Sequence, residues 1–109
     1  MIKLIIAEEY TKAPGARYIR EGDYSGEDFR MKFLEPKFKE ALDKGEKLLI
    51  DLDGGYGYPP SFLDEAFGGL ALIYGADTII RSIELKSVDE PRLLDEIVRY
   101  IHEAEDMSK

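Results

Sequence analysis

Two carboxylates and one hydroxyl are the side chains of this sequence best placed to do chemistry. Asp51 and Asp53 stand two residues apart at the end of an apolar run, immediately before a glycine. A carboxylate in that position can attack phosphorus, and a second can act as acid or base beside magnesium. Ser61 follows two prolines and precedes an apolar helical pattern, so its hydroxyl could accept a phosphate. One short segment therefore offers two kinds of phosphate chemistry.

The aspartate pair in Asp51-Leu52-Asp53-Gly54 matches the nucleophile motif of haloacid-dehalogenase-type phosphatases, but over four residues only. Those enzymes place the motif at the amino terminus and need a lysine and an acidic pair later in the chain. Only residues 54–109 follow Asp53 here. A strand that ends in aspartate before a turn is also ordinary in proteins without this activity. We keep the phosphatase as a minor alternative.

Ser61 has a structural and a functional interpretation. As a helix N-cap, its hydroxyl would accept from a main-chain N–H near Asp64, which would contribute about 1 kcal/mol. As a phosphoacceptor, it would place a phosphate beside unpaired N–H groups and the positive end of a helix dipole. Asp64 and Glu65 would oppose that phosphate by charge repulsion. Local chemistry alone favours the cap.

The loop before Ser61 is rich in glycine and carries Tyr56 and Tyr58. Such tyrosines either contact a partner or fold back onto the core, and the sequence favours neither option. The pair Gly68-Gly69 lies inside the following helix, where each glycine costs about 1 kcal/mol relative to alanine. Close packing against the sheet or a neighbouring helix is the interpretation we favour for that pair.

A binding site for a small ligand or nucleotide is a further alternative. Its rim would be formed by Ser25, Arg30 and Ser61, and Arg17 or Arg30 would pair with an anion. Surface ion pairs explain both arginines as well.

Composition limits the remaining function classes. The 109 residues include one histidine and no cysteine, so we expect no cofactor and no thiolate or histidine-based metal site. The formal charge of -8 repels phosphate backbones and argues against nucleic-acid binding. The longest apolar run, residues 70–74, is far too short for a bilayer. We expect a single domain over residues 1–109, without a membrane anchor, in the cytoplasm.

Apolar runs and helical stripes predict the elements that position these residues. Strands are predicted over residues 2–7, 17–20, 48–52 and 78–85, and helices between Ser25 and Gly45 and over residues 61–74 and 87–104. Ser25 should cap the first helix, and Pro36 should kink it or start a second one. The order predicts an α/β fold with a mixed, mostly parallel four-stranded sheet. Its right-handed crossovers would bring Ser25 and Ser61 to the same rim.

Two segments of the sequence resemble a known family. Residues 61–68, together with the strand that ends at Asp51, are similar to the signature of the STAS-like domains of unknown function. Arg17-Tyr18 and residues 25–30 resemble that family's upstream motif, so the resemblance extends over roughly residues 14–75. It implies a mixed sheet with helices largely on one face. It also implies a protein-binding switch of bacteria or archaea.

The wider relatives are the STAS domains (sulfate transporter and anti-sigma factor antagonist). In the antagonists, a partner kinase phosphorylates a serine at the start of the helix after a central strand. Ser61 occupies the matching position, but Pro59-Pro60 before it and Phe62 after it depart from the antagonist pattern. The resemblance thus implies a protein partner, a kinase-type ATPase or an anti-sigma-like factor, more firmly than it implies phosphorylation.

We interpret the chain as a non-enzymatic regulatory module that binds a protein partner. Its predicted partner-binding residues are Arg30, Tyr56, Tyr58, Ser61, Asp64 and Glu65.

Overall fold

Three parallel strands form the sheet and lie side by side in chain order. The computed structural model describes residues 1–107, apart from the side chains of residues 105 and 107. Strand β1 (Ile2–Ile5) pairs with β2 (Leu48–Asp51), and β2 pairs with β3 (Ile83–Lys86). The central place of β2 and the parallel pairing agree with the prediction. The predicted mixed, four-stranded sheet does not, because the described residues contain three strands and both pairs are parallel.

Helices make up the connections between the strands. They are α1 (Ile6–Glu9), α2 (Gly26–Phe29), α3 (Glu35–Lys44), α4 (Pro60–Leu63), α5 (Gly69–Tyr74), α6 (Ala76–Ser82) and α7 (Arg92–Met107). A π-helical turn joins α2 to α3 (Arg30–Leu34), and a second joins α4 to α5 (Asp64–Gly68). Each of the two joined helices is continuous. No helix of residues 1–107 is long and apolar enough to cross a membrane.

The predicted short strand at residues 17–20 is wrong. This segment leads into a 3-10 turn, Ile19–Glu21, that the Glu21 side chain closes. The Glu21 carboxylate accepts from the Tyr18 N–H at 2.9 Å, and the Glu21 N–H donates to the Tyr18 carbonyl at 2.9 Å. These local bonds occupy main-chain groups that strand pairing would need.

Most of the predicted strand at residues 78–85 is helical. Helix α6 occupies its first five positions, and only Ile83–Lys86 belongs to the sheet. Gly75, at a φ of 87°, ends α5 and lets the chain turn directly into α6. Ala76 and Ile79 are buried three residues apart, as on one face of a helix. Tertiary packing therefore overrides the β-branched preference of this segment.

Pro36 is the second residue of α3 and follows directly after a π-helical turn. Proline cannot donate to the carbonyl four residues earlier, and its ring crowds that carbonyl. The π-helical turn before it opens the helix locally, since the Glu35 N–H donates to the Arg30 carbonyl five residues back. The helix then continues into α3 and ends at Gly45, whose left-handed conformation (φ 65°) confirms the predicted terminus.

One hydrophobic core lies between the sheet and the helices. Strand residues Leu4, Ile50 and Ile83 point into it, whereas Lys3 and Glu84 on the opposite face are exposed. The largest fully buried side chains include Phe29, Phe38, Phe62 and Phe67, all from the helices. The core therefore lies on one face of the sheet, as the resemblance implies.

Candidate functional site

Ser61 lies in the first turn of the continuous helix 60–74 but does not cap it. The helix begins at Pro60, Pro59 is the N-cap residue, and no side chain makes a capping bond. Proline suits the first helical position because the N–H that it lacks would have no partner there. The predicted cap by Ser61, with Asp64 answering, is therefore wrong. Ser61 is half-buried, and the structure gives its hydroxyl no role in holding the helix end.

The two carboxylates one turn after Ser61 are paired with arginines. Arg17 Nη1 lies 2.8 Å from Asp64 Oδ2 and 3.8 Å from Glu65 Oε1. Arg30 Nη2 lies 2.9 Å from Glu65 Oε2, and Arg30 Nε donates to the Glu65 carbonyl at 3.2 Å. The hydrogen bond to Asp64 also raises the pKa of Arg17. These four residues form a charge-balanced group, which we call the arginine–acid cluster.

The glycine pair in this helix allows two close approaches. A Cβ atom on Gly69 would overlap the Arg30 side chain, 2.5 Å from Nε and 3.0 Å from Cδ. On Gly68 it would lie 3.0 Å from Asp64 Oδ1 and 3.5 Å from the Tyr100 carbonyl of α7. The interpretation of the pair as a close-packing device is confirmed, and its neighbours are helices rather than the sheet.

A groove of about 250 Å³ runs along the outward face of helix 60–74. Three members of the cluster, Arg17, Asp64 and Glu65, line one part of it together with Tyr18. Leu72 and Ala104 supply apolar surface. Leu72 is 60% exposed and the adjacent Ile73 is 52% exposed. One helix therefore combines a half-buried serine, a neutralised charge cluster and uncovered apolar side chains.

The two loop tyrosines point in opposite directions. Tyr56 is 84% exposed, and its main chain is held by a hydrogen bond from its N–H to the Lys12 carbonyl. Tyr58 packs against Phe62 with 6.0 Å between ring centroids, and its hydroxyl donates to the Leu52 carbonyl. Burial raises the pKa of Tyr58. Of the two, Tyr56 is the one whose ring is exposed.

Ser25 and Arg30 are not available to the proposed ligand-binding rim. Ser25 is fully buried, and its Oγ accepts from the Asp28 N–H at 3.0 Å, which confirms it as the N-cap of α2. Arg30 is committed to Glu65. The beginnings of α2 and α4 do meet, with Gly26 against the Phe62 carbonyl. The close packing of these two helix starts thus leaves no space for a ligand at this point of the rim.

Tyr10 connects several core residues next to this rim through its hydroxyl and its ring. It was not identified from the sequence. Its hydroxyl donates to Asp28 Oδ2 at 2.7 Å and approaches the Ser25 carbonyl at 3.3 Å. Its ring lies 5.1 to 6.5 Å from those of Phe29, Phe33 and Phe62. The only signal in the sequence is a lone aromatic residue after two glutamates.

The aspartate pair at the carboxyl end of β2 accepts hydrogen bonds from main-chain N–H groups. Asp51 Oδ1 accepts from the Asp53 N–H at 2.9 Å, and Asp51 Oδ2 lies 3.6 Å from Lys86 Nζ. Asp53 Oδ1 accepts from the N–H groups of Val88 and Asp89 at 2.8 and 2.9 Å. The bond from the Asp89 N–H is the main cause of the lowered pKa of Asp53.

Asp89 completes this arrangement, because its Oδ2 accepts from the Gly54 N–H at 3.1 Å. We call the reciprocal pair Asp53 and Asp89 the aspartate clasp. An open cavity of about 410 Å³ lies beside it, lined also by Glu8 and Lys12. Among the side chains that the structure describes, no group of three or more His, Cys, Asp or Glu could hold a metal ion.

Comparison with protein families shows to which family the chain belongs. The family model for a STAS-like domain of unknown function matches residues 25–93, which include β2, helix 60–74 and β3. Neither the curated proteins nor the solved structures gave a significant match. The matched segment covers more than half of the chain and confirms the resemblance seen in the sequence. The chain belongs to the family of STAS-like domains of unknown function.

Proposed function

We propose that the chain is a non-enzymatic regulatory module that binds a protein partner through the outward face of helix 60–74 and the loop before it. We call this region, from Tyr56 to Ile73, the Ser61 surface. The observation that carries the proposal is the exposure of Leu72 and Ile73 beside the groove of the same helix. Exposed apolar side chains next to a polar-rimmed groove are typical of protein-binding sites.

Tyr56 extends this surface to the beginning of the helix. An exposed tyrosine offers a large rigid ring and a hydroxyl, and tyrosine is enriched at binding hot spots. The glycines on either side give the loop the conformations that carry the ring outward, with Gly54 at φ 89° and Gly57 at φ 127°. Tyr56 and Leu72 would thus contact the same partner from the two ends of the helix.

The proposed partner is a kinase-type ATPase or an anti-sigma-like factor. This class comes from the family resemblance, in which the serine matching Ser61 is the phosphoacceptor. The arginine–acid cluster makes a phosphate on Ser61 more acceptable than the sequence suggests. Arg17 and Arg30 balance Asp64 and Glu65, so the repulsion expected from two adjacent carboxylates is reduced.

A phosphatase is the weaker alternative, because the aspartate clasp explains Asp53 without catalysis. Both N–H groups bound by its Oδ1 belong to the turn after β3. A carboxylate in this arrangement joins the segments that follow β2 and β3 through two hydrogen bonds from main-chain N–H groups. Asp51, whose side chain is 19% exposed, pairs with the half-exposed Lys86 at 3.6 Å.

The test is a pull-down from native lysate of the source cells with wild type, Ser61→Ala, Ser61→Glu and Leu72→Asp, followed by mass spectrometry and phosphosite mapping. Ser82→Glu, in α6 away from the groove, is the matched control for added charge. We expect one partner that wild type and Ser82→Glu recover equally. Leu72→Asp should lose it, and Ser61→Glu should weaken its recovery.

The variants that lose the partner distinguish a phosphorylation switch at Ser61 from a plain binding surface. Phosphate on Ser61, together with weaker recovery by Ser61→Glu, supports a phosphorylation switch. Loss with Leu72→Asp alone supports a plain binding surface. Equal recovery by all variants would contradict the Ser61 surface as the binding site. Phosphatase activity of the pure protein with magnesium, abolished by Asp51→Asn, would contradict the non-enzymatic assignment.

A further inference from the structure

The two edges of the sheet differ in whether side chains make hydrogen bonds to their outward main-chain groups. At the β1 edge, Lys37 Nζ donates to the Lys3 carbonyl at 2.7 Å, and the Ile5 N–H donates to Glu9 Oε2 at 2.7 Å. Lys37 and Glu9 also pair with each other at 2.8 Å. Side chains thus occupy the main-chain groups that another strand would need. The β1 edge is blocked in the way that proteins use to prevent edge-to-edge pairing.

The β3 edge has no such cover. The Lys86 carbonyl accepts from the Leu52 N–H on the β2 side, so alternation along the strand turns the N–H and C=O of Leu85 outward. Among the groups that the structure describes, none makes a hydrogen bond to the N–H or C=O of Leu85. An edge with unpaired main-chain groups is a template for another strand.

The charged side chains of β3 in one copy are complementary to those of β3 in a second, antiparallel copy. The sequence Glu84-Leu85-Lys86 places an acid and a base on either side of the outward-facing residue. In an antiparallel pair of two such strands centred on Leu85, Glu84 of each copy faces Lys86 of the other. Directly opposed side chains in antiparallel strands lie about 4.5–5.5 Å apart at Cβ, and opposite charges there are favourable. In a parallel pair in the same register, like charges would face each other.

We propose that two copies of this chain associate through antiparallel pairing of their β3 strands, which joins the two three-stranded sheets into one of six strands. Leu85 of each copy exchanges two main-chain hydrogen bonds with Leu85 of the other, and two Glu84–Lys86 pairs flank them. The present partners of these charges leave them accessible. Glu84 lies 4.0 Å from Lys47 and Lys86 lies 3.6 Å from Asp51, with Glu84 and Lys86 about half exposed.

The contact is short, so the association should be weak and sensitive to ionic strength. Each copy carries a formal charge of -8, which opposes the approach of a second copy at low salt. Screening at about 0.15 M salt reduces that long-range repulsion but affects a close, partly desolvated ion pair less. Raising the salt concentration from low to physiological values should therefore strengthen the dimer. This inference does not depend on the Ser61 surface.

Sedimentation equilibrium of the full chain over a wide concentration range tests the proposal. Glu84→Lys and Lys86→Glu each place like charges opposite one another, and each should lower the association constant roughly tenfold or more. An equimolar mixture of these two variants restores both pairs and should associate like wild type. The double variant Glu84→Lys/Lys86→Glu should associate on its own. Glu40→Lys and Lys39→Glu, on exposed positions of α3, are the matched charge controls.

Recovery of association in the mixture and in the double variant supports β3 pairing in this register. An effect of net charge alone would not be reversed by combining the two substitutions. Glu84→Lys is informative by itself, since it lowers the net negative charge and would otherwise favour association. A wild-type chain that stays monomeric at every concentration and salt level would overturn the proposal. A dimer that neither Glu84→Lys nor Lys86→Glu weakens would overturn it equally, because it would use another face. Circular dichroism confirms that each variant is folded.

Discussion

The side chain of Arg30 crosses the helix 60–74 directly over Gly69 on its way to Glu65. The space that a Cβ atom of residue 69 would need is filled by Arg30 Nε and Cδ, and the guanidinium then bonds the Glu65 carbonyl and carboxylate. Arg30 starts one π-helical turn and Glu65 lies in the other. The glycine thus allows a charge-assisted link between the two long helices.

Gly69→Ala should destabilise the protein because the new methyl group displaces Arg30 from Glu65. Overpacking of this kind costs about 1–3 kcal/mol, against a gain of about 1 kcal/mol from better helix propensity. We expect a net loss of up to about 2 kcal/mol in the free energy of unfolding, measured by urea denaturation.

The control for this prediction is the same change in a chain without the arginine. In the Arg30→Ala background, Gly69→Ala has nothing to displace and should stabilise by up to about 1 kcal/mol. Equal losses in both backgrounds would show that the contact with Arg30 does not require the glycine.

Tyr10→Phe should weaken the junction between β1 and the first long helix. It removes the hydroxyl that donates to Asp28 and leaves the ring among its aromatic neighbours. A lost hydrogen bond to a charged, partly buried partner costs about 1–2 kcal/mol. Thermal unfolding of this variant and of Tyr18→Phe, an aromatic residue in the outer loop, measures the difference. A Tyr10→Phe loss no larger than that of Tyr18→Phe would contradict a structural role for the hydroxyl.

The first-helix boundaries were predictable because their signals are local. Ser25 caps α2 through an N–H three residues away, and Gly45 ends α3 through its own left-handed conformation. Neither depends on distant parts of the chain. The buried central strand was predictable for a related reason, since a short apolar run between two helices has few other stable places.

The arginine–acid cluster and α6 were not predictable because distant contacts determine them. Arg17 and Asp64 are 47 residues apart in the chain, and nothing near either residue selects the other. In α6, Thr78-Ile79-Ile80 favours a strand locally. The helix forms because Gly75 turns the chain and Ile79 reaches the core, while Ile80 stays 36% exposed.

Asp53→Ala should open the aspartate clasp and lower stability by about 1–2 kcal/mol at neutral pH, since it removes a charged acceptor from two N–H groups. The bond from the Asp89 N–H holds the pKa of Asp53 below its ordinary value. A carboxyl with a lowered folded-state pKa stabilises the fold above its unfolded pKa of about 3.9. That contribution is lost as the pH falls from there through the folded-state pKa.

The measurement is urea unfolding of wild type and Asp53→Ala from pH 7 to pH 3. The difference between the two should be constant down to about pH 5 and should shrink below about pH 4. Asp43→Ala, on the exposed surface of α3, is the control and should change stability by less than about 0.5 kcal/mol. A difference that grew on acidification would show that the charged form of Asp53 does not stabilise the turn.

Ser61→Ala should leave stability within about 0.5 kcal/mol of wild type, although the sequence alone predicts a loss of about 1 kcal/mol for a capping serine. Pro59 and Pro60 form the helix start, so no capping bond is removed. Ser25→Ala is the matched comparison, because Ser25 is buried and does cap its helix. It should cost about 1 kcal/mol or more in the same urea titration.

Equal losses for the two serines would mean that Ser61 caps its helix in solution. A loss confined to Ser25→Ala would leave the Ser61 hydroxyl without a structural task, so that any effect of Ser61→Ala on partner recovery must come from binding or modification.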